Sequence, residues 1–160
     1  MKNKYNFFKK TSWIWITIGL LLGFSCVVIF RNYFDGVNKT PQICKWETCF
    51  AVELASIPEE QQQGLMYREY LEEMAWMLFV FSKESVHNFW MKNTIIPLDI
   101  IWIDNQYKVV RRVTAQPCEA EPCMIYKPEV LAKYVLELNA WIAEKYGIIE
   151  WDILQFKNMR

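Results

Sequence analysis

Histidine is almost missing from this 160-residue chain: His87 stands alone. One imidazole cannot build the His-rich centre usual for catalytic zinc, so no metal site is expected. No G-x-S-x-G elbow is present, and a Ser-His-Asp triad would have to rest on that single residue. No C-x-x-C pair occurs, which removes the common spacing of redox-active dithiols. Clustered positive charge is scarce beyond the amino terminus, where Arg111-Arg112 is the only basic doublet. Residues 32–160 carry 13 basic side chains against 18 acidic ones, a net charge of −5. Such a surface has no electrostatic pull toward phosphates, so nucleic-acid binding is excluded. Internal repeats and low-complexity tracts are absent as well.

The amino terminus is different in kind. Lys2, Lys4, Lys9 and Lys10 occur with no acid, and residues 13–30, WIWITIGLLLGFSCVVIF, follow without a charge until Arg31. That run sits at the short end of what crosses a hydrocarbon core of about 30 Å. Trp13 and Trp15 stand where an interfacial belt places aromatics. A cleaved signal would need a shorter apolar region and a small-residue cut site. A lipoprotein signal centred on Leu22-Gly23-Phe24-Ser25-Cys26 has glycine where leucine is usual, and apolar residues continue past Cys26. An uncleaved anchor fits best. The basic tail then stays in the cytoplasm and the remainder is exported.

Cys26 lies within the apolar run, while the other four cysteines share one spacing, Cys44-x4-Cys49 and Cys118-x4-Cys123. Export favours disulfides over zinc for these four. Three connectivities are open. A turn at Trp46-Glu47 would set Cys44 opposite Cys49 in a hairpin, although Trp-Glu is a poor primed turn. A local bond would close the rigid Pro117–Cys123 loop.

Polar residues 31–42 read as a linker. Alternation marks a strand at 49–54. Ser56, Pro58 and Glu59 signal a helix start, with the helix running through 60–63 and ending between Gly64 and Tyr67. Strands are expected at 76–81, 89–91, 98–103, 107–113 and 134–138, with a break at 93–97 because proline cannot donate to a ladder. A short helix at 140–146 stops at Gly147, and 149–156 reads as the last strand. Short strands at regular spacing with two short helices point to an antiparallel sandwich or barrel.

Residues 87–104, HNFWMKNTIIPLDIIWID, set an isolated Lys-Asn-Thr among tryptophans and isoleucines. Charge in so apolar a stretch must find a partner or stay in water, which singles out Lys92 and Asp99. Asp99 reads as a buried carboxylate satisfied by amides or a basic partner, or as a general base or ligand-binding group with a shifted pKa. Lys92 and Arg68 are its expected partners. Lys92-Asn93-Thr94 is either a self-capping loop or a donor set for a polar or anionic ligand. Trp90 is core, or a stacking platform beside those donors. Arg68 is a surface ion pair or a carboxylate clamp. The ligand-binding candidates are thus Arg68, Trp90, Lys92, Asn93 and Asp99.

Several segments recur in a fixed order: Val52-Glu53-Leu54-Ala55, Pro58-Glu59-Glu60, Gly64-Leu65-Met66-Tyr67-Arg68 and Met77-Leu78-Phe79-Val80-Phe81. Phe89-Trp90-Met91-Lys92-Asn93-Thr94, Ile96-Pro97-Leu98-Asp99-Ile100, a Pro-Cys loop and Tyr134-Val135-Leu136-Glu137-Leu138 complete them. Together they resemble an uncharacterised bacterial and archaeal family, domain of unknown function 192, across roughly residues 49–156. The resemblance implies a compact β-barrel or jelly-roll-like sandwich, often exported, with no agreed substrate. Many relatives carry glycine before Met-Leu-Phe; this chain has Trp76, which argues against a close backbone approach there.

The expected architecture is mostly β, an antiparallel barrel or jelly-roll-like sandwich with two short helices, preceded by one transmembrane helix. A cytoplasmic tail (1–12), an anchor (13–30), a linker (31–42) and an extracytoplasmic domain (43–160) follow one another. The expected partners are the membrane, through 13–30, and an unknown ligand or envelope protein. No cofactor is expected. The alternatives are an exported hydrolase or modifier of envelope material using Asp99, Lys92 and Arg68, or a structural envelope component.

Overall fold

The computed structural model describes residues 40–159. The basic tail, the apolar run with Cys26, and the linker as far as residue 39 lie outside the described residues. No helix among the described residues is long and apolar enough to cross a membrane.

Among the described residues nine strands and two short helices follow one another: β1 (Gln42–Lys45), β2 (Thr48–Ala55), α1 (Pro58–Gln63), β3 (Ala75–Ser85), β4 (Phe89–Trp90) and β5 (Leu98–Ile103). β6 (Val109–Ala115), β7 (Ile125–Tyr126), β8 (Ala132–Asn139), α2 (Ile142–Lys145) and β9 (Gln155–Lys157) complete the domain. Seven strands form one sheet in the order β6-β5-β8-β3-β2-β1-β9, and β4 pairs with β7 as a separate ribbon.

The large sheet curls into a half-barrel. Its edges approach where Lys108 bridges Ile153. Around that bridge, the Val109 N–H donates to Asp152 O at 2.8 Å and the Leu154 N–H to Tyr107 O at 2.9 Å. The sheet is antiparallel except at one seam, where β2 and β3 pair in parallel from Ala51–Ala75 to Ala55–Phe79. Parallel neighbours need a crossover of a dozen or more residues, and α1 with the turns after it supplies one. The last strand is also shorter than expected: residues 149–152 turn, and Gln155–Lys157 alone pairs with β1.

Both disulfides are local. Cys44 faces Cys49 across the β1–β2 hairpin and bonds to it, with Cα atoms 4.0 Å apart. Trp46 meets the demand of the tight turn by adopting φ 53°. Cys118 bonds Cys123, Cα to Cα 5.5 Å.

α1 starts as expected at Pro58, but Ser56 is not its cap. Glu60 reaches back instead, its Oε2 accepting from the Ser56 N–H at 2.9 Å. Gly64 ends the helix at φ 49°, where a Cβ would stand 3.1 Å from the Phe79 ring. Glycine therefore permits both the turn and the close fit.

The sheet is buried on both faces. Phe50, Trp76, Leu78, Ile101, Leu136 and Leu154 belong to one core cluster. Met77, Phe79, Leu98, Ile100, Trp102 and Val135 belong to the other, with Leu65, Leu71 and Met91 added from covering loops. All six residues of β5 are buried, which explains why its sequence is a near-continuous apolar run. Trp76 stacks on Phe50 at 3.8 Å between centroids, and its Nε1 donates to Glu73 O. Burying a ring of that size contributes roughly 1.5–3 kcal/mol.

Candidate functional site

Asp99 is fully buried, and its partners are neither Lys92 nor Arg68. Its Oδ1 accepts from Thr114 Oγ1 at 2.6 Å and its Oδ2 from the Ala143 N–H at 2.9 Å. Ala143 lies in the first turn of α2, where helical N–H groups lack intrahelical partners. The residue preceding that helix, Trp141, has φ 68° and makes no side-chain cap. A carboxylate from β5 thus caps α2 from across the fold, the task a local Ser or Asp usually performs.

Arg68 forks onto Glu53 at 2.8 and 2.6 Å. That hydrogen bond holds the Glu53 carboxyl below its ordinary value and raises the guanidinium. Lys92 pairs with Glu121 at 2.7 Å and lies 5.5 Å from the Trp90 ring centroid. The Glu121 carboxylate raises the Lys92 pKa. Asn93, at φ 57°, accepts from the Tyr67 N–H at 2.8 Å. That bond fastens the loop bearing Arg68 to the turn after β4 that bears Lys92 and Asn93, with Trp90 at the end of β4 itself. Four of the five candidates therefore lie on two joined segments, and Asp99 stands apart.

His87 stacks on Phe81 at 3.5 Å and is bonded to Lys83 O. Burial lowers its pKa. Among the described residues no group of three His, Cys, Asp or Glu side chains could hold a metal ion.

Glu137 is the residue that sequence reasoning missed. It is 5% exposed on β8 and makes no ion pair among the described residues. Desolvation pushes its carboxyl up to about 8. It sits in a row with Met77 and Ile100 on neighbouring strands, beneath the loop that begins at Gly64. The alternation in residues 134–138 marks a strand and carries no sign that its acid is buried. Only the covering loops bury it, and a strand pattern carries no signal of them.

Beside this face lies an open groove of about 340 Å³. Tyr70, Leu71, Ile96, Pro97, Trp141 and Ile142 form its apolar walls. Tyr70 is 73% exposed and Trp141 59%. Glu69, Glu73 and Asn139 supply its polar lining. Glu73 accepts from Lys145 at 2.5 Å and from Tyr146 Oη at 3.0 Å, which holds its carboxyl below the usual range. The Asn139 amide donates to Leu71 O at 2.6 Å.

Fold and surface together define a small, mostly β domain with a curled, mixed sheet and an aromatic-walled groove between Tyr70 and Trp141. The chain belongs to the uncharacterised family known as domain of unknown function 192 (uncharacterized ACR), whose family model matches residues 42–156. Similar solved structures include the following two. One, from Sinorhizobium meliloti 1021 and proposed to be a transcription regulator, has 32% identity and a TM-score of 0.65, over 72% of this chain and 91% of that one. The other, a protein of unknown function from Novosphingobium aromaticivorans DSM 12444, has 29% identity and a TM-score of 0.65, over 72% of this chain and 83% of its own. No curated protein matches the chain.

Proposed function

We propose that the chain is a single-pass membrane protein whose β domain, held outside the cytoplasm, binds a segment of an envelope protein in the Tyr70–Trp141 groove. The groove carries this reading: two large aromatics stand open to solvent around a concave apolar floor, a composition enriched where proteins meet. Trp141 holds a left-handed backbone conformation that costs on the order of 1 kcal/mol for a bulky residue. Its neighbours hold it there, through the Ala140 N–H bond to Pro97 O and the Asp99 cap on Ala143. Ionic groups point away from catalysis, since Asp99, Arg68 and Lys92 each serve a structural partner. The uncharged run at 13–30 supports the anchor, and two disulfides suit an oxidising compartment.

Site-specific photo-crosslinking in living cells tests the binding surface. A benzophenone amino acid at Tyr70 or Trp141 should yield a discrete adduct that the same probe at exposed Glu47 does not. Adducts identical at all three positions, or none at the groove, would refute the reading.

A further inference from the structure

We infer that the groove selects a cationic segment, one that places an arginine or lysine side chain against Tyr70, Trp141 and Glu69. This inference rests on the groove being the binding surface and adds the chemistry of its occupant. The unspent polar capacity of the lining is mostly acceptor. Glu69 forms no ion pair among the described residues, whereas Glu73 is already engaged by Lys145. Asn139 spends its amide hydrogens on Leu71 O and Glu72 O, which leaves its carbonyl oxygen to accept. No Lys, Arg or His lines the groove. Glu69 and Glu73 are the two acids of the lining, and Lys145 offsets only Glu73.

Aromatic faces beside carboxylates complement a cation in two ways. The ring quadrupoles attract the charge, and a carboxylate takes the planar guanidinium fork in a bidentate pair. The apolar floor at Leu71, Ile96 and Pro97 then accepts the aliphatic stem of the same side chain, or an adjoining leucine. An anionic occupant would meet Glu69 with no cation in the lining to offset it.

The full chain in detergent micelles, titrated with a fluorescein-labelled peptide of alternating leucine and arginine, tests the inference by anisotropy. A second peptide carries citrulline, a neutral isostere, at each arginine. The arginine peptide should bind about tenfold more tightly than the citrulline one, and added salt should narrow the gap. Tyr70→Ala and Glu69→Gln, both exposed and outside the core, should each weaken the arginine peptide several-fold while leaving the melting curve in place. Equal affinity for both peptides, lost in Tyr70→Ala, would overturn the cationic preference yet leave the groove as the binding surface. Arginine-peptide binding that ignores both substitutions, or no binding at all, would overturn the inference, and the cross-linking result would still judge the groove independently.

Discussion

Asp99 and Glu137 stand on neighbouring strands one position out of step, Asp99 opposite Leu138 and Ile100 opposite Glu137, so their carboxyl groups enter opposite faces of the same sheet. Both are buried acids. Asp99 meets two donors. Glu137 meets an apolar surround that raises its pKa. Their consequences for stability run in different directions.

Removing the Asp99 carboxylate orphans the Thr114 hydroxyl and the Ala143 N–H. Asp99→Ala should destabilise the domain by roughly 1–3 kcal/mol, read as a midpoint shift in urea unfolding with an unchanged m-value. Asp99→Asn keeps one acceptor and should lose less. An unaltered midpoint in Asp99→Ala would deny the capping role.

Glu137 gives a pH signature. Its folded pKa, about 8, lies above the unfolded value of 4.5, so the folded state binds the extra proton between these limits. Stability contributed by this group is full below pH 4.5 and declines as pH rises through 8, by at most about 1.4 kcal/mol per pH unit. Glu137→Gln should remove that decline and become the more stable form at pH 8. Glu53, whose pKa is lowered by Arg68, acts oppositely and only in acid, because its contribution is lost as pH falls below 4.5. Subtracting variant from parent melting curves across pH 5–8 isolates Glu137; parallel curves would contradict its burial.

Glu121 lies inside the loop closed by Cys118 and Cys123, and it holds Lys92. Replacing both cysteines with serine should free that loop and expose the Lys92 amine, which would acetylate faster in competitive labelling read by mass spectrometry. In the chain-entropy picture, opening so short a loop costs about 2 kcal/mol. A Lys92 labelling rate equal to that of the parent would show that the loop does not need its bridge to position Glu121.

Much of the fold was legible because apolar alternation and glycine stops act locally. The runs at 76–81, 98–103 and 134–138 each lie within an observed strand, and Gly147 follows α2 closely. The parallel seam between β2 and β3 was not legible, since a strand pattern states which face is buried and says nothing of direction. Lys45 shows the same limit: it is buried at the end of β1 and bonded to Asp152 and the Gly147 carbonyl, partners more than a hundred residues away. Asp99, Lys92 and Arg68 could be singled out as charges in need of partners. The partners they take, Thr114 and Ala143, Glu121, and Glu53, come from other segments that no local pattern names. The Trp141 conformation could not be read, because it depends on Asp99 and Pro97 arriving from another strand.

Everything proposed about partners presumes an exported domain, so the disulfide state of the chain in intact cells is the most direct measurement. After acid quenching and alkylation, mass spectrometry of the membrane fraction should find Cys44 joined to Cys49 and Cys118 joined to Cys123, with Cys26 as the only alkylated thiol. A chain recovered from the soluble cytoplasmic fraction with all five cysteines alkylated would contradict both the anchor and the extracytoplasmic placement.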